Sequence, residues 1–303
     1  MFYLRCPREH PSVHTVFYIC TDVLRSRLRF IHHLLEKFPL VPPLHMMAIP
    51  QIKDPSVRYL QTAQAYDLWA QVYDTDGNFL QALDSIEMKV LLPKALALVE
   101  ESRPSRPWKL VDLGCGTGRN TAALLEVANS TIVGLDVSPG MLQVAKQRLS
   151  QLVGSNTLHV EVFDLIQHQT PPNVALGADL VVSTLVIEHV PSQIYFRQVA
   201  SILKPGGILL LTNMHSDMGA ISQAGFVDPT TGDKIRPTSY AHTLGDIMAE
   251  AEKNGLELVD EMEERCVNRD MVSKLGARSE KWVGVTVWFG GLLKRKPSGS
   301  NHD

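Results

Sequence analysis

The feature that most constrains the fold is a glycine-rich turn set between a strand and a helix. Lys109–Leu113 is a short apolar run, Asn120–Val127 reads as a helix, and Gly114-Cys115-Gly116-Thr117-Gly118 lies between them. Glycine lets a backbone turn sharply and come close to a ligand. In an open α/β sheet such a turn sits at the carboxyl end of a strand, beside the ligand. The chain around it keeps the same alternation. Thr131–Val137, Thr157–Phe163, Ala178–Leu185 and Ile208–Thr212 read as strands. Ser138-Pro139, a cap followed by proline at the first helical position, opens a helix to Leu152. Ser192–Leu203 and Thr243–Asn254 are further helices, and Leu256–Cys266 and Val283–Leu293 are two last strands. Alternating strands and helices predict a mostly parallel sheet with helices on both faces.

Ahead of this pattern, Val57–Val72 reads as an amphipathic helix with Tyr66, Trp69 and Tyr73 at i, i+3 and i+7. Leu80–Glu101 continues as helix until Pro104 and Pro107 break it. The stretch from Asn213 to Tyr240 reads as a long loop. Long loops inside compact domains are often functional, so it is expected to cover the substrate. Residues 1–53 are poorly patterned and read as an N-terminal extension ahead of a domain at 54–294, with a polar tail at 295–303. No continuous apolar stretch follows the basic start, so a secretory signal is not expected. Met46 and Met47, just before the patterned region, leave open whether residues 1–46 belong to the mature chain.

A formal net charge of -3 over 303 residues gives no reason to expect nucleic acid or an anionic membrane as partner. The longest apolar runs are strand-sized, so no membrane span is expected. Cys6, Cys20, Cys115 and Cys266 stand far apart and form no CxxC pair or Cys/His cluster, so no metal is expected. The cytoplasm is the simple reading of compartment, with a mitochondrial address second. Monomer and homodimer both stay open.

Two ligand classes compete for the glycine turn. A dinucleotide fingerprint runs G-x-G-x-x-G. Here Arg119 stands where the third glycine belongs, and the glycines run G-x-G-x-G, two residues after Asp112. An acidic residue beside the turn suits a cationic ligand better than a pyrophosphate. S-adenosylmethionine carries an ammonium and a sulfonium and no phosphate. Asp136, twenty residues after Gly116, ends the second strand, where a carboxylate accepts hydrogen bonds from ribose hydroxyls.

Five stretches in order then resemble the class I S-adenosylmethionine-dependent methyltransferases, in particular the small-molecule group related to ubiquinone and biotin-precursor methyltransferases. They are Asp112–Gly118, Gly134–Leu142, Phe163-Asp164-Leu165, Asp179–Val190 and Leu203–Gly207. The resemblance implies a Rossmann-like, seven-stranded, mostly parallel sheet with an N-terminal helical lid, and S-adenosyl-L-methionine as cofactor. It places Gly114, Gly116 and Gly118 along the methionine part, Cys115 and Asn120 among the cofactor-binding residues, and Asp112 toward the ammonium. Asp136 would hold the ribose, Val137 and Met141 would pack near adenine, and Asp164 and Leu165 would read its edge. The carbonyl of Ser183 or Thr184 would also face the ammonium. Tyr66, Trp69 and Tyr73 resemble the family's lid helix. Tyr73 is expected at the cofactor, and Tyr66 and Trp69 at the acceptor.

In such a reaction the donor is already activated, and the protein works by positioning, a contribution of about 7–11 kcal/mol to the barrier. A base is needed only if the nucleophile must lose a proton. His189 and His215 follow strands at the ligand edge and are the candidate bases. Tyr240 and His242 are candidates for the acceptor pocket. The expected function is O- or N-methylation of a small metabolite. A cofactor-binding protein of the same fold that transfers no methyl group stays open as the alternative.

Overall fold

The computed structural model describes residues 57–297. The extension assigned to 1–53 and residues 298–303 of the tail lie outside the described residues. The chain opens with strand β1 (Val57–Leu60), helix α1 (Thr62–Trp69) and the long helix α2 (Phe79–Ser102). Next come β2 (Trp108–Leu113), α3 (Arg119–Leu125), β3 (Ser130–Asp136), α4 (Pro139–Leu149) and β4 (Thr157–Val162). The second half starts with β5 (Ala178–Thr184), α5 (Ser192–Ile202), β6 (Leu203–Met214) and α6 (Ser216–Ile221). It continues with β7 (Phe226–Val227), β8 (Lys234–Pro237), α7 (Leu244–Lys253), β9 (Leu256–Leu258) and β10 (Glu263–Cys266). Helix α8 (Arg269–Leu275) and strand β11 (Thr286–Arg295) close it.

The main sheet runs β10-β11-β6-β5-β2-β3-β4, and β9 also pairs with β11 as an eighth strand. Strands β2 to β6 are parallel to their neighbours, and β11 is antiparallel to β6. Leu256–Cys266 is thus two short strands rather than one. Strand β10 lines Glu263–Cys266 against Thr286–Gly290, and β9 lines Leu293–Arg295. Between them the Met262 sulfur occupies the space over Gly291, where a Cβ would meet it at 2.4 Å.

The inner strands are apolar throughout because both faces are covered. Leu110, Leu180, Val182 and Leu210 join the core beneath α2 and α3. Their neighbours Val111, Val181 and Leu211 join the core beneath α5 and α7. The period of two alone sorts side chains to the two layers. The chain lays β3 and β4 on one side of β2, then returns to place β5 and β6 on the other. The connections after β2 and β5 therefore part company at that reversal, which opens a crevice.

The expectations for the covering layer need correction. Val57–Leu60 is a strand, not the start of a helix, and it pairs in parallel with β8. The expected loop from Asn213 to Tyr240 contains α6, β7 and β8. Strands β1, β8 and β7 form a separate three-stranded sheet. It closes a third small core of Ala65, Trp69, Ala70, Met141, Phe226 and Ile235. This core seats α1 over the crevice. Asp67 Oδ1 adds a latch by accepting from Ser138 Oγ (2.5 Å) and Gly140 N (2.8 Å) at the start of α4. No described helix is long and apolar enough to cross a membrane.

Candidate active site

The glycine turn is held by the second strand of the motif. Gly114 N and Cys115 N both donate to the Leu135 carbonyl, at 2.7 and 2.9 Å. Gly114 has φ +76° and approaches the turn after β5 so closely that a Cβ would lie 2.2 Å from Val186 Cγ2. Gly116, at φ +54°, has open space where a Cβ would be. Its N–H donates to Asp136 Oδ2 at 2.8 Å, and Ser138 N donates to Oδ1 at 2.8 Å. Burial pushes the Asp136 carboxyl up to about 6. Gly118, at φ +82°, precedes α3 and packs against Ala145 and Leu149 of α4. Arg119 has a structural task. It pairs with buried Asp84 at 3.2 Å and bonds the Gln81 carbonyl and Ser85 Oγ of α2.

A cavity of about 240 Å³ occupies the crevice under α1. Gly114, Gly116, Asp136, Val137, Met141, Asp164, Leu165 and Thr184 line it, together with Tyr66, Tyr73, His189 and Tyr240. These come from the ends of β2, β3, β4 and β5 and from the covering layer. The groups present fit S-adenosylmethionine. A buried carboxyl open to the cavity suits a pair of hydroxyls, and a backbone free of side chains suits a narrow ligand tail. Asp164 Oδ1 accepts from Ile166 N and Gln167 N, which fixes the turn after β4 against the cavity.

Other motif residues support the turn from behind and do not line the cavity. Asp112 is buried, accepts from Thr121 Oγ1 at 2.5 Å, and is pushed up to about 6 by burial. Asn120 donates to Thr184 Oγ1 at 2.8 Å, tying α3 to the end of β5. Cys115 is buried against Gly134, and burial raises its thiol.

The two candidate bases differ. His189 lies in the cavity wall with both ring nitrogens engaged. Nδ1 is 2.7 Å from the Thr238 carbonyl, which only accepts, so Nδ1 carries the proton. Nε2 is therefore the acceptor for the Tyr66 hydroxyl at 2.8 Å. Burial lowers His189 to about 4, and burial likewise raises Tyr66 and Tyr73. This pair positions α1 over the site and is poorly suited to accept a further proton. His215 lines neither this cavity nor the next. Its Nδ1 accepts from Asp217 N at 3.1 Å at the start of α6, and Nε2 is 2.9 Å from Glu264 Oε1. His242 bonds the Val190 carbonyl at 2.9 Å and stacks on Tyr240. Tyr240 lines the cavity, and its N–H donates to the Glu188 carbonyl at 2.7 Å.

A second cavity, of about 450 Å³, adjoins the first; Tyr66, Tyr73 and Leu185 line both. Trp69 belongs to this one. It stacks on Phe226 with centroids 4.9 Å apart and donates its indole N–H to Asp76. Phe79, Met214, Met218 and Trp282 add apolar wall, and Lys234, Arg278 and Lys281 add positive charge. Two wall residues escaped sequence reading. Leu185 has φ +58°, a conformation costly for leucine that turns the chain at the end of β5. Glu188 is buried on the turn Ile187–His189 and lines this cavity, and burial pushes its carboxyl up to about 8. Its only sequence signal was its place beside His189. No cluster arranged for a metal is present among the described residues.

Comparison with known proteins agrees with the geometry. A family model described as a methyltransferase domain matches residues 111–209. An uncharacterized methyltransferase of Emericella nidulans is 48% identical over 260 residues, which cover 77% of this chain and 91% of that protein. Trans-aconitate 2-methyltransferase of Rhodopseudomonas palustris is 26% identical over 198 residues, 61% of this chain and 68% of that protein. Among solved structures, the [4+2]-cyclase SpnF gives a TM-score of 0.51 at 17% identity over 80% of this chain and 98% of its own, a likeness of fold alone. The chain belongs to the class I S-adenosylmethionine-dependent methyltransferases. S-adenosylmethionine is the methyl donor of that family.

Proposed function

We propose that residues 54–294 form one catalytic domain that methylates oxygen or nitrogen of a small organic acceptor bound in the second cavity. The observation that carries this reading is the shared wall. Two cavities meet at Tyr66, Tyr73 and Leu185, one with the groups that suit the donor and the other walled by the rings of Trp69, Phe79, Phe226 and Trp282. S-adenosylmethionine supplies a methyl group already activated on a sulfonium. Asp136 accepts from the ribose hydroxyls, and Asp164 with Leu165 meets the adenine edge. Val137 and Met141 pack on the base, while Gly114 and Gly116 let the backbone follow the methionine part. Tyr66 and His189 hold α1 down, so the cavity wall excludes water where the two ligands meet. Holding two reactants in line accounts for about 7–11 kcal/mol of barrier.

The test is incubation of the purified full chain with methyl-labelled donor and fractionated metabolite extract. Label should appear in a small organic product, with one S-adenosylhomocysteine formed per methyl moved. Donor binding without label transfer to any fraction would refute the acceptor assignment. The same preparation, run in a sizing column, distinguishes monomer from homodimer.

A further inference from the structure

Glu188 is buried on the wall of the second cavity, and its Oε2 has no hydrogen-bond partner. Among the residues lining that cavity it is the one buried side-chain oxygen left uncommitted. A buried polar atom without a partner costs stability, so its persistence points to a ligand that completes it. His189 and Asp76 are already engaged. Oε1 is 3.6 Å from His189 Nε2, which already accepts from Tyr66. Asp76 accepts from Trp69 Nε1 and Asn78 N. The remaining ionisable groups of the cavity are Tyr66, Tyr73 and the cations Lys234, Arg278 and Lys281. The cavity is otherwise walled by rings, including the stacked pair Trp69 and Phe226.

We propose that the second cavity takes a flat acid bearing a phenolic or enolic hydroxyl, and that Glu188 accepts the hydroxyl proton as that oxygen is methylated. The inference rests on reading this cavity as the acceptor's. The rings match a flat body, the cations match an acidic substituent, and Oε2 matches a hydroxyl. In the step, the acceptor O–H bond breaks and its proton goes to Glu188 Oε2. The oxygen's electron pair forms the bond to the methyl carbon, the C–S bond breaks, and its pair stays on sulfur as a neutral thioether. The proton then leaves Glu188 for water with the product. A carboxylate nucleophile would need no base. It would leave Glu188 as a hydrogen-bond donor, a role that glutamine also fills.

The direction of the pH dependence separates these roles. Burial holds Glu188 at about 8, so the charged, proton-accepting form is gained as pH rises through about 8. Among the groups facing it, His189 is neutral because it sits at about 4, and Tyr66 and Tyr73 stay protonated because burial raises both. The other charged groups of the wall are Asp76, Lys234, Arg278 and Lys281. A base gives a rate that rises through that pH, and a donor gives one that falls.

The probe is 4-hydroxy-3-nitrobenzoate, whose phenolate absorbs visibly. The full chain, its E188Q and E188D variants, and S-adenosylhomocysteine are used for binding. The bound probe and Glu188 should share one proton, so wild-type affinity should fall by about tenfold for each pH unit above about 8. The fall should vanish in E188Q. Methylation of 4-hydroxybenzoate, whose hydroxyl still carries its proton at that pH, should rise through about 8 in the wild type, drop by about 100-fold or more in E188Q and recover in part in E188D, with the affinity for S-adenosylhomocysteine unchanged in both. Wild-type rates in E188Q, a pH-dependent fall that survives E188Q, methylation at the carboxylate, or no binding of the probe would each overturn the proposal. If E188Q does not fold, the wild-type pH profile and E188D decide. Failure of the wild type to bind the donor or its product strikes instead at the underlying reading of the first cavity.

Discussion

Replacing Asp136 with alanine tests the ribose assignment with a magnitude set by the structure. The carboxylate accepts from Gly116 N and Ser138 N, both at 2.8 Å, while facing the donor cavity. Hydrogen bonds to a charged acceptor are worth about 1.5–3 kcal/mol each. Losing the two proposed ribose bonds should therefore weaken donor binding by about 3 kcal/mol or more, a rise in Kd of about 100-fold. Losing the two backbone partners should also lower stability by about 2–4 kcal/mol. Calorimetric titration with S-adenosylhomocysteine, on protein shown to be folded by circular dichroism, reads the first effect. Thermal unfolding reads the second. The wild type should also show the group directly. Burial lifts Asp136 to about 6, and only its ionised form accepts two hydroxyls, so affinity should fall as pH drops through about 6. Asp136→Asn should remove that dependence while Asp112, also at about 6, remains. A folded D136A protein with Kd within threefold of wild type would refute the assignment.

Three further substitutions probe the surrounding architecture. Asp67→Ala removes the latch of α1 on Ser138 and Gly140, and should cost about 1–3 kcal/mol of stability and weaken binding in both cavities, since α1 carries Tyr66; unchanged melting and unchanged donor affinity would show that the latch does not matter. Gly114→Ala places a methyl 2.2 Å from Val186 Cγ2 at φ +76°, so donor binding should fall more than about tenfold, and wild-type affinity by titration would show room that the geometry denies. His215→Ala removes the acceptor for Asp217 N at the start of α6, which should lower stability by about 1 kcal/mol and leave turnover within about threefold; a loss of about 100-fold in steady-state rate would return His215 to the chemistry.

The parallel strands were legible because burial on both faces leaves them apolar throughout, as in Leu180-Val181-Val182. The glycine turn and Asp136 were legible because their spacing reflects a single strand-turn-helix unit. The covering layer was not. Strands β1, β7 and β8 run for two to four residues, too short for an alternating pattern to stand out, and β1 finds its partner far along the chain, Val57 beside Lys234. Val57–Leu60 therefore merged with the true helical period of α1. The role of His189 depends on the Thr238 carbonyl and the Tyr66 hydroxyl, contacts 49 and 123 residues away in the chain. Nothing local marks a histidine as fully engaged. Nor does anything local mark Glu188 as buried with a free oxygen, or Leu185 as left-handed.

Calorimetric titration of the full chain with S-adenosylmethionine and, separately, with NAD decides most directly whether the cavity under α1 is a methyl-donor site. Micromolar binding of S-adenosylmethionine, lost in D136A, with no heat from NAD is the predicted result. Binding of NAD, or donor binding that ignores the Asp136 substitution, would contradict it.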